Sequence, residues 1–209
     1  MFRDALDYPT RPPTGGRSVL VGGALLLFVG IPIAIAGIGI EYAPVGLVAV
    51  LPWLLVRGYY VRVVRTTAGR TYPTPPRFGG VSRLFVDGIQ AVAIFVLYLL
   101  PGVVVLGPLV VARTTGVELP TLFARVGFPT ALSNAALSVA GLLALFALLY
   151  LIGALYALPV AVANFAYTDC FAAAFDLRTV LGGALTEDYA VAWVVSVVIQ
   201  ALLIPVSYP

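Results

Sequence analysis

The sequence predicts an all-α protein, a polytopic transmembrane helix bundle of about five membrane spans with short interfacial helices and its N-terminus inside. Three observations predict it. Of the 209 residues, 61% are hydrophobic and 10% are charged, whereas a soluble domain carries about 25% charged residues. The apolar residues gather into long runs nearly free of charge. The twelve basic residues, all arginine, cluster between alternate runs. This composition excludes a water-soluble globular domain and a disordered chain.

Residues 1–17 are polar and rich in arginine and proline. No stable helix should cross Pro12-Pro13. We expect a cytoplasmic N-terminal segment that can touch the bilayer through Phe2, Leu6 and Tyr8, followed by a single membrane-embedded domain over 18–209. The first span is read at 18–40, a charge-free run long enough to cross a hydrocarbon core of about 30 Å, kinked at Pro32. Ala34-Ile35-Ala36 has the form of a signal-peptidase site, but the preceding segment is too long, acidic and proline-rich for a cleaved leader.

A short turn at 41–44 leads into the second span, 44–64. It carries Trp53, Tyr59 and Tyr60, residue types suited to an interface. Arg57 lies inside this span and can snorkel toward its arginine-rich end, where Arg62 and Arg65 continue into the headgroups. Pro73, Pro75, Pro76 and Gly79-Gly80 make 66–83 an irregular loop. The third apolar run, 84–112, is too long for one straight crossing, and a break near Pro101-Gly102 is expected.

Residues 113–130 read as a loop with an interfacial stretch at 119–128. The fourth span, 131–163, divides into an amphipathic lead-in over 131–141 and a crossing that ends near Pro159. Residues 164–188 then leave the apolar phase. Thr168 or Asp169 is placed to cap a helix from Cys170 that lies on the bilayer surface and ends at Gly182-Gly183. Thr186 caps the fifth span, 189–207, whose Glu187 and Asp188 favour the positive end of the helix.

Ten of the twelve arginines fall before the first span, across 57–83 or across 164–188. By the positive-inside rule those segments are cytoplasmic. The chain stops at Val206-Ser207-Tyr208-Pro209 with no polar tail, so a further helix is expected in the full-length chain.

Three groups of residues carry a family resemblance. One is Ala5-Leu6-Asp7-Tyr8-Pro9 with Val21-Gly22-Gly23-Ala24-Leu25. The second is Arg57-Gly58-Tyr59-Tyr60 through Arg65, then Leu84-Phe85-Val86-Asp87-Gly88-Ile89 and Tyr98-Leu99-Leu100-Pro101. The third is Tyr156-Ala157-Leu158-Pro159, then Ala174-Phe175-Asp176-Leu177-Arg178 and Tyr189-Ala190-Val191-Ala192-Trp193. In this order they resemble an uncharacterised prokaryotic, largely haloarchaeal, multi-pass membrane family, the domain of unknown function 4013. The resemblance implies a membrane fold, and usually one more hydrophobic stretch at the C-terminus. It implies no activity and carries over no site residues.

The polar positions inside or beside the apolar runs are Arg57, Asp87, Gln90, Asn134, Asn164, Asp169 and Asp176. Asp87 and Gln90 share a helical face near the start of the third run. There a first-turn carboxylate is stabilised by the helix terminus and can pair with Arg83. Asp169 and Asp176, seven residues apart, read as the solvated side of the surface helix; the spacing, about 10 Å along a helix axis, does not suit an acid/base pair. Asn134, Asn164 and Gln200 suit interhelical hydrogen bonds. Small residues recur every four positions at Ala136, Ala140 and Ala144 and at Gly153, Ala157 and Ala161, a spacing that lets helices approach closely.

With no histidine and a single cysteine, Cys170, the chain has no HExxH, no CxxC and no histidine-based triad, and no phosphate-binding glycine loop appears. No catalytic residue, metal or cofactor is assigned. The net charge of +3 is no nucleic-acid footprint. The expected partners are membrane lipids, with other membrane proteins or a second copy as further candidates. The sequence therefore reads as a non-catalytic scaffold or accessory component of the cell membrane, the alternative being a small transporter or channel.

Overall fold

The computed structural model describes residues 8–12, 15–68, 74–116 and 130–207, with side chains described except at Thr10, Ile40, Ala112, 130–138 and 202–207. Its helices are α1 (Gly15–Ala36), α2 (Val50–Thr67), α3 (Val81–Thr115), α4 (Thr130–Thr168), α5 (Leu177–Ala184) and α6 (Glu187–Ser207), with tighter 3-10 turns at Tyr8–Thr10, Ile40–Ala49 and Phe171–Phe175. No strand occurs among the described residues. Four helical stretches are long and apolar enough to cross a membrane: α1, Glu41–Thr67, α3 and Val139–Thr168. A fifth is added if α5 and α6, bent by 73° at their junction, count as one span.

Several boundaries differ from the sequence reading. Residues 41–44 are not an isolated turn but part of the 3-10 segment that leads into α2. The expected break near Pro101 is absent, and α3 is one helix of 35 residues through both Pro101 and Pro108. A proline deletes one backbone bond, and a helix persists through it where the neighbouring peptide groups have no water to bond with, as in a membrane-crossing helix. A Cβ added at Gly102 would run into the Leu151 side chain. The Pro-Gly pair thus serves close packing against α4. Likewise α4 does not stop at Pro159 but continues to Thr168. The interfacial stretch read at 119–128, with Phe2 and Leu6, lies outside the described residues.

The chain divides into two compact units, at Ile94/Phe95, Pro159/Val160 and Val180/Leu181. In the first, α2 and α3 pack antiparallel through reciprocal glycines. A Cβ on Gly58 would collide with the Leu84 carbonyl, and one on Gly88 with the Leu54 carbonyl. Only glycine lets the two backbones come this close. Leu54, Val61, Leu84, Ala91, Ile94, Phe165 and Val180 are buried in this unit.

The proline-rich loop is a strap across α1 and α2. The Ser18 and Tyr59 hydroxyls both donate to the Pro76 carbonyl, at 3.1 and 3.2 Å. The Tyr59 and Phe78 rings stack 3.8 Å apart. Arg62 donates to the carbonyls of Arg77 and Gly79. Gly80, at φ +64°, turns the chain into α3, a conformation glycine adopts without a Cβ penalty.

In the second unit, Tyr150 donates to the Tyr98 carbonyl at 2.9 Å. Tyr156 donates at 2.7 Å to the Ala184 carbonyl, at the end of α5. Tyr189 in turn donates to the Tyr156 carbonyl. The Tyr156 ring meets Tyr189 and Trp193 edge-on, each at 5.2 Å. Of the row of small residues read on α4, Ala157, and Ala161 just inside the first unit, are buried, as are Ala147 and Ala154, whereas nothing lies within 4 Å of a Cβ built at Gly153.

Candidate functional site: an ion-pair cluster at the helix ends

The first unit gathers the end of α2, the start of α3 and the end of α4 at one place. Arg65, in the last turn of α2, reaches both of the others. Its Nε donates to the Ala166 carbonyl at 3.1 Å, one of the four C-terminal carbonyls of α4 that have no partner within their own helix. One terminal nitrogen donates to Asp87 Oδ2 at 3.1 Å and the other to Asp169 Oδ1 at 2.7 Å. The planar fork of arginine makes three directed bonds possible from one side chain. Arg83 binds the second oxygen of Asp169. Two cations and two anions are thus matched.

Their environments differ. The Asp87 side chain is 4% exposed and that of Arg65 21%, against 52% for Asp169 and 58% for Arg83. The Arg65–Asp87 contact is thus largely withdrawn from solvent, and the Arg83–Asp169 contact is open. Asp169 has φ 55°, the left-handed conformation common just past a helix terminus and tolerated by Asp. Its carboxyl is held below the usual range, first by the hydrogen bond from Arg83 and further by the Arg65 charge.

Beside the cluster lies an open hollow of about 410 Å3, lined by Ser82, Arg83, Val86, Asp87, Gln90 and Asp169. It follows the first turns of α3, from Ser82 to Gln90.

Of the residues singled out in the sequence, Asp87, Gln90 and Asp169 meet here. The expected Arg83–Asp87 pair does not form. Asp87 is taken by Arg65, and an Arg four residues before an Asp is the weaker order for a pair along one helix. Asp176 does not share a helix face with Asp169, because a 3-10 turn separates them. Asp176 instead caps α5, accepting from the Arg178 N–H at 3.2 Å and the Thr179 hydroxyl at 2.7 Å. Those Thr179 bonds, hydroxyl first, hold its carboxyl low.

No surface helix therefore starts at Cys170, and Gly182-Gly183 lies inside α5 rather than ending it. The Thr186 hydroxyl does not cap α6 but donates back to the Gly183 carbonyl at 2.8 Å. Among the described residues Asn164 makes no interhelical bond; it donates at 2.8 Å to the Ala173 carbonyl and holds the 3-10 turn. Gln200 bonds Ser196 on its own helix at 3.2 Å. Arg57 stands apart, its guanidinium 5.1 Å over the Trp53 ring. The Asn134 side chain lies outside the described residues. Among the described residues no group of three or more His, Cys, Asp or Glu could hold a metal.

The sequence reading missed Arg65 as the centre of the cluster, and Gly58 and Gly88 beneath it. Leu54–Gly58 and Leu84–Gly88 repeat the same four-residue offset, the one sequence signal that could have found the glycines.

Fold and cluster define a class: an all-α protein with four helical stretches long and apolar enough to cross a membrane, in which one end each of α2, α3 and α4 meet through arginine bonds to carboxylates and a carbonyl. The chain belongs to the DUF4013 family, described as proteins of unknown function, whose model matches residues 43–207. The second and third groups of residues that carry the resemblance fall inside this match, and the first precedes it. No curated protein and no solved structure matches the chain.

Proposed function

We propose that this chain is a multi-pass integral protein of the cell membrane with a cytoplasmic N-terminus, acting as a non-catalytic scaffold or accessory component. The observation that carries the reading is the apolar surface left uncovered along the helices. On α1, Leu20, Leu26, Leu27, Phe28, Ile31 and Ile33 are all more than half exposed. Burial of a large apolar side chain is worth about 1.5–3 kcal/mol. Six such side chains, each somewhat over half exposed, would forgo on the order of 5–10 kcal/mol in water, comparable to the whole stability of an ordinary domain. Lipid as solvent removes that deficit.

The arrangement of the charges supports the same reading. Arg65 and Arg83 are engaged by carboxylates from other segments, so the cluster fastens helix ends together. The strap holds the start of α1 to the end of α2, and the cluster adds the end of α4. These ends adjoin the three segments that together hold ten of the twelve arginines and that the positive-inside rule groups on the cytoplasmic side. Affinity purification of the full chain in mild detergent tests the role: defined membrane-protein partners are expected, and recovery of the isolated monomer alone argues against it.

A second reading, a small transporter, is favoured by one observation: the hollow with Asp87 and Gln90 on its wall. It predicts solute flux in proteoliposomes that Asp87→Asn abolishes; flux equal to that of empty vesicles removes it.

A further inference from the structure

We infer that α5 is an in-plane anchor: it lies along the cytoplasmic interface of the bilayer and inserts Leu177, Leu181 and Leu185 among the lipids, while α6 alone makes the final crossing. This rests on the membrane reading above.

The lengths come first. With 21 residues, α6 extends about 31 Å at 1.5 Å per residue, enough to cross the hydrocarbon core unaided. The eight residues of α5 are not needed for the crossing, and the 73° bend at the junction directs them elsewhere. Transmembrane helices tilt by about 20° on average, so α5 comes to lie within about 40° of the bilayer plane.

The faces of α5 fit that orientation. At about 100° per residue, Val180, Ala184, Leu177 and Leu181 fall on one continuous arc of the helix, and Leu185, just past its last residue with its N–H still bonded to the Leu181 carbonyl, continues that arc. Thr179, Gly182 and Gly183 fall on the opposite arc, with Arg178 at the edge between them. The apolar arc is used in two halves. Val180 and Ala184 are buried, at 0% and 1% exposure, whereas Leu177, Leu181 and Leu185 are 63%, 48% and 79% exposed.

One half of the arc is thus covered by the protein, and the other half is bare. The bare half is a row of three leucines four residues apart, adjoining a helix that crosses the membrane. The acidic cap Asp176 begins α5, and Glu187 and Asp188 begin α6. Carboxylates bracket the leucine row at both ends, which keeps those ends at the level of headgroups and water. An apolar face with polar ends, nearly perpendicular to a crossing helix, fits the boundary between headgroup and acyl chain.

The test uses the full chain with its one cysteine replaced, Cys170→Ala, and single cysteines placed in turn at Leu181, Leu185, Thr179, Gly182 and Val96. Each variant is nitroxide-labelled and reconstituted in phosphatidylcholine–phosphatidylglycerol vesicles. Accessibility to oxygen, which partitions into lipid, is compared with accessibility to a water-soluble nickel chelate. Val96, exposed on α3, is the lipid reference.

The inference predicts an oxygen-to-nickel ratio at 181 and 185 several-fold above that at 179 and 182, and in the direction of the 96 value. Equal, water-like ratios at 179, 181, 182 and 185 overturn it, and so does low access to both reagents at 181 and 185, which marks contact with protein. A water-like value at 96 itself defeats the underlying membrane reading instead, so the two failures are distinguishable. Circular dichroism of each labelled protein confirms that the helices are retained.

Discussion

Arg65 on α2 donates to Asp87 on α3 across 3.1 Å, and the carboxylate it meets is almost fully withdrawn from solvent. An ion pair of this kind is strongly felt when one partner is removed, because the other charge is left buried and uncompensated. Arg65→Gln should therefore lower stability by about 3–5 kcal/mol. It also orphans the Ala166 carbonyl and the Oδ1 of Asp169. Asp87→Asn, which removes the buried charge itself, should cost less, and the double variant should be more stable than the sum of the two predicts. Thermal unfolding of the four proteins in one detergent gives the cycle. Strict additivity would show that the contact carries no coupling.

The glycine contacts between α2 and α3 predict a different pattern. At Gly58 and Gly88 an added methyl meets backbone, which has no rotamer to move. Overpacking a core commonly costs about 1–3 kcal/mol, and more where nothing can shift. Gly58→Ala and Gly88→Ala should each lower Tm by many degrees or prevent folding. Gly153→Ala is the control, since its Cβ enters open space. Alanine at a helical position is favoured over glycine by about 0.8–1.0 kcal/mol, so this variant should be neutral or slightly more stable. Equal behaviour of Gly58→Ala and Gly153→Ala would contradict the packing described.

Asp169 sets a pH dependence whose sign follows from its depressed carboxyl. An aspartate ordinarily titrates near 3.8, and the bonds from Arg83 and Arg65 lower that value in the folded protein. Stability from this group is therefore complete above the unfolded value and declines as pH falls through the folded one. Tm measured between about pH 6 and pH 3 should fall toward the acid end. The fall should be shallower in Asp169→Asn, with the two curves differing most at the higher pH. Because the side chain is half exposed, added salt should shrink the difference. Parallel curves would mean that Asp169 contributes no such linkage.

Cys170 offers a measure of sidedness, being the chain's single cysteine and exposed. It adjoins Asp169, which is tied to Arg65 and Arg83. Cys170 and a cysteine at Thr74, placed in a Cys170→Ala background, should therefore react with an impermeant maleimide from the same side of the membrane. A cysteine at Thr115 should react from the other, since α3 with 35 residues is about 52 Å long and outreaches the hydrocarbon core. Labelling of Cys170 and Thr115→Cys from one common side would contradict the threading.

The fold was largely legible because long apolar runs and arginine placement are coarse signals that survive local detail. Helix ends were less so. Pro101 and Pro159 read as breaks because the rule for proline is learned in water, where freed backbone groups have an alternative partner; in lipid they have none. The break before α6 was legible, but it was read at Gly182-Gly183, a few residues early. It falls at Leu185-Thr186, where Tyr156 of α4 donates to the Ala184 carbonyl at the end of α5 and accepts from Tyr189 of α6. At the cluster, Asp87 and Asp169 were visible as polar residues beside apolar runs. Their shared partner was not, because Arg65 lies 22 residues from one and 104 from the other and no local spacing joins them.

The claim on which the account rests is that lipid surrounds α1, α3 and α4. Partition of the full chain after alkaline carbonate washing of membranes tests it most directly. The account predicts that the protein stays in the pelleted bilayer and is released only by detergent. Recovery of folded, monodisperse protein in the carbonate supernatant would contradict it.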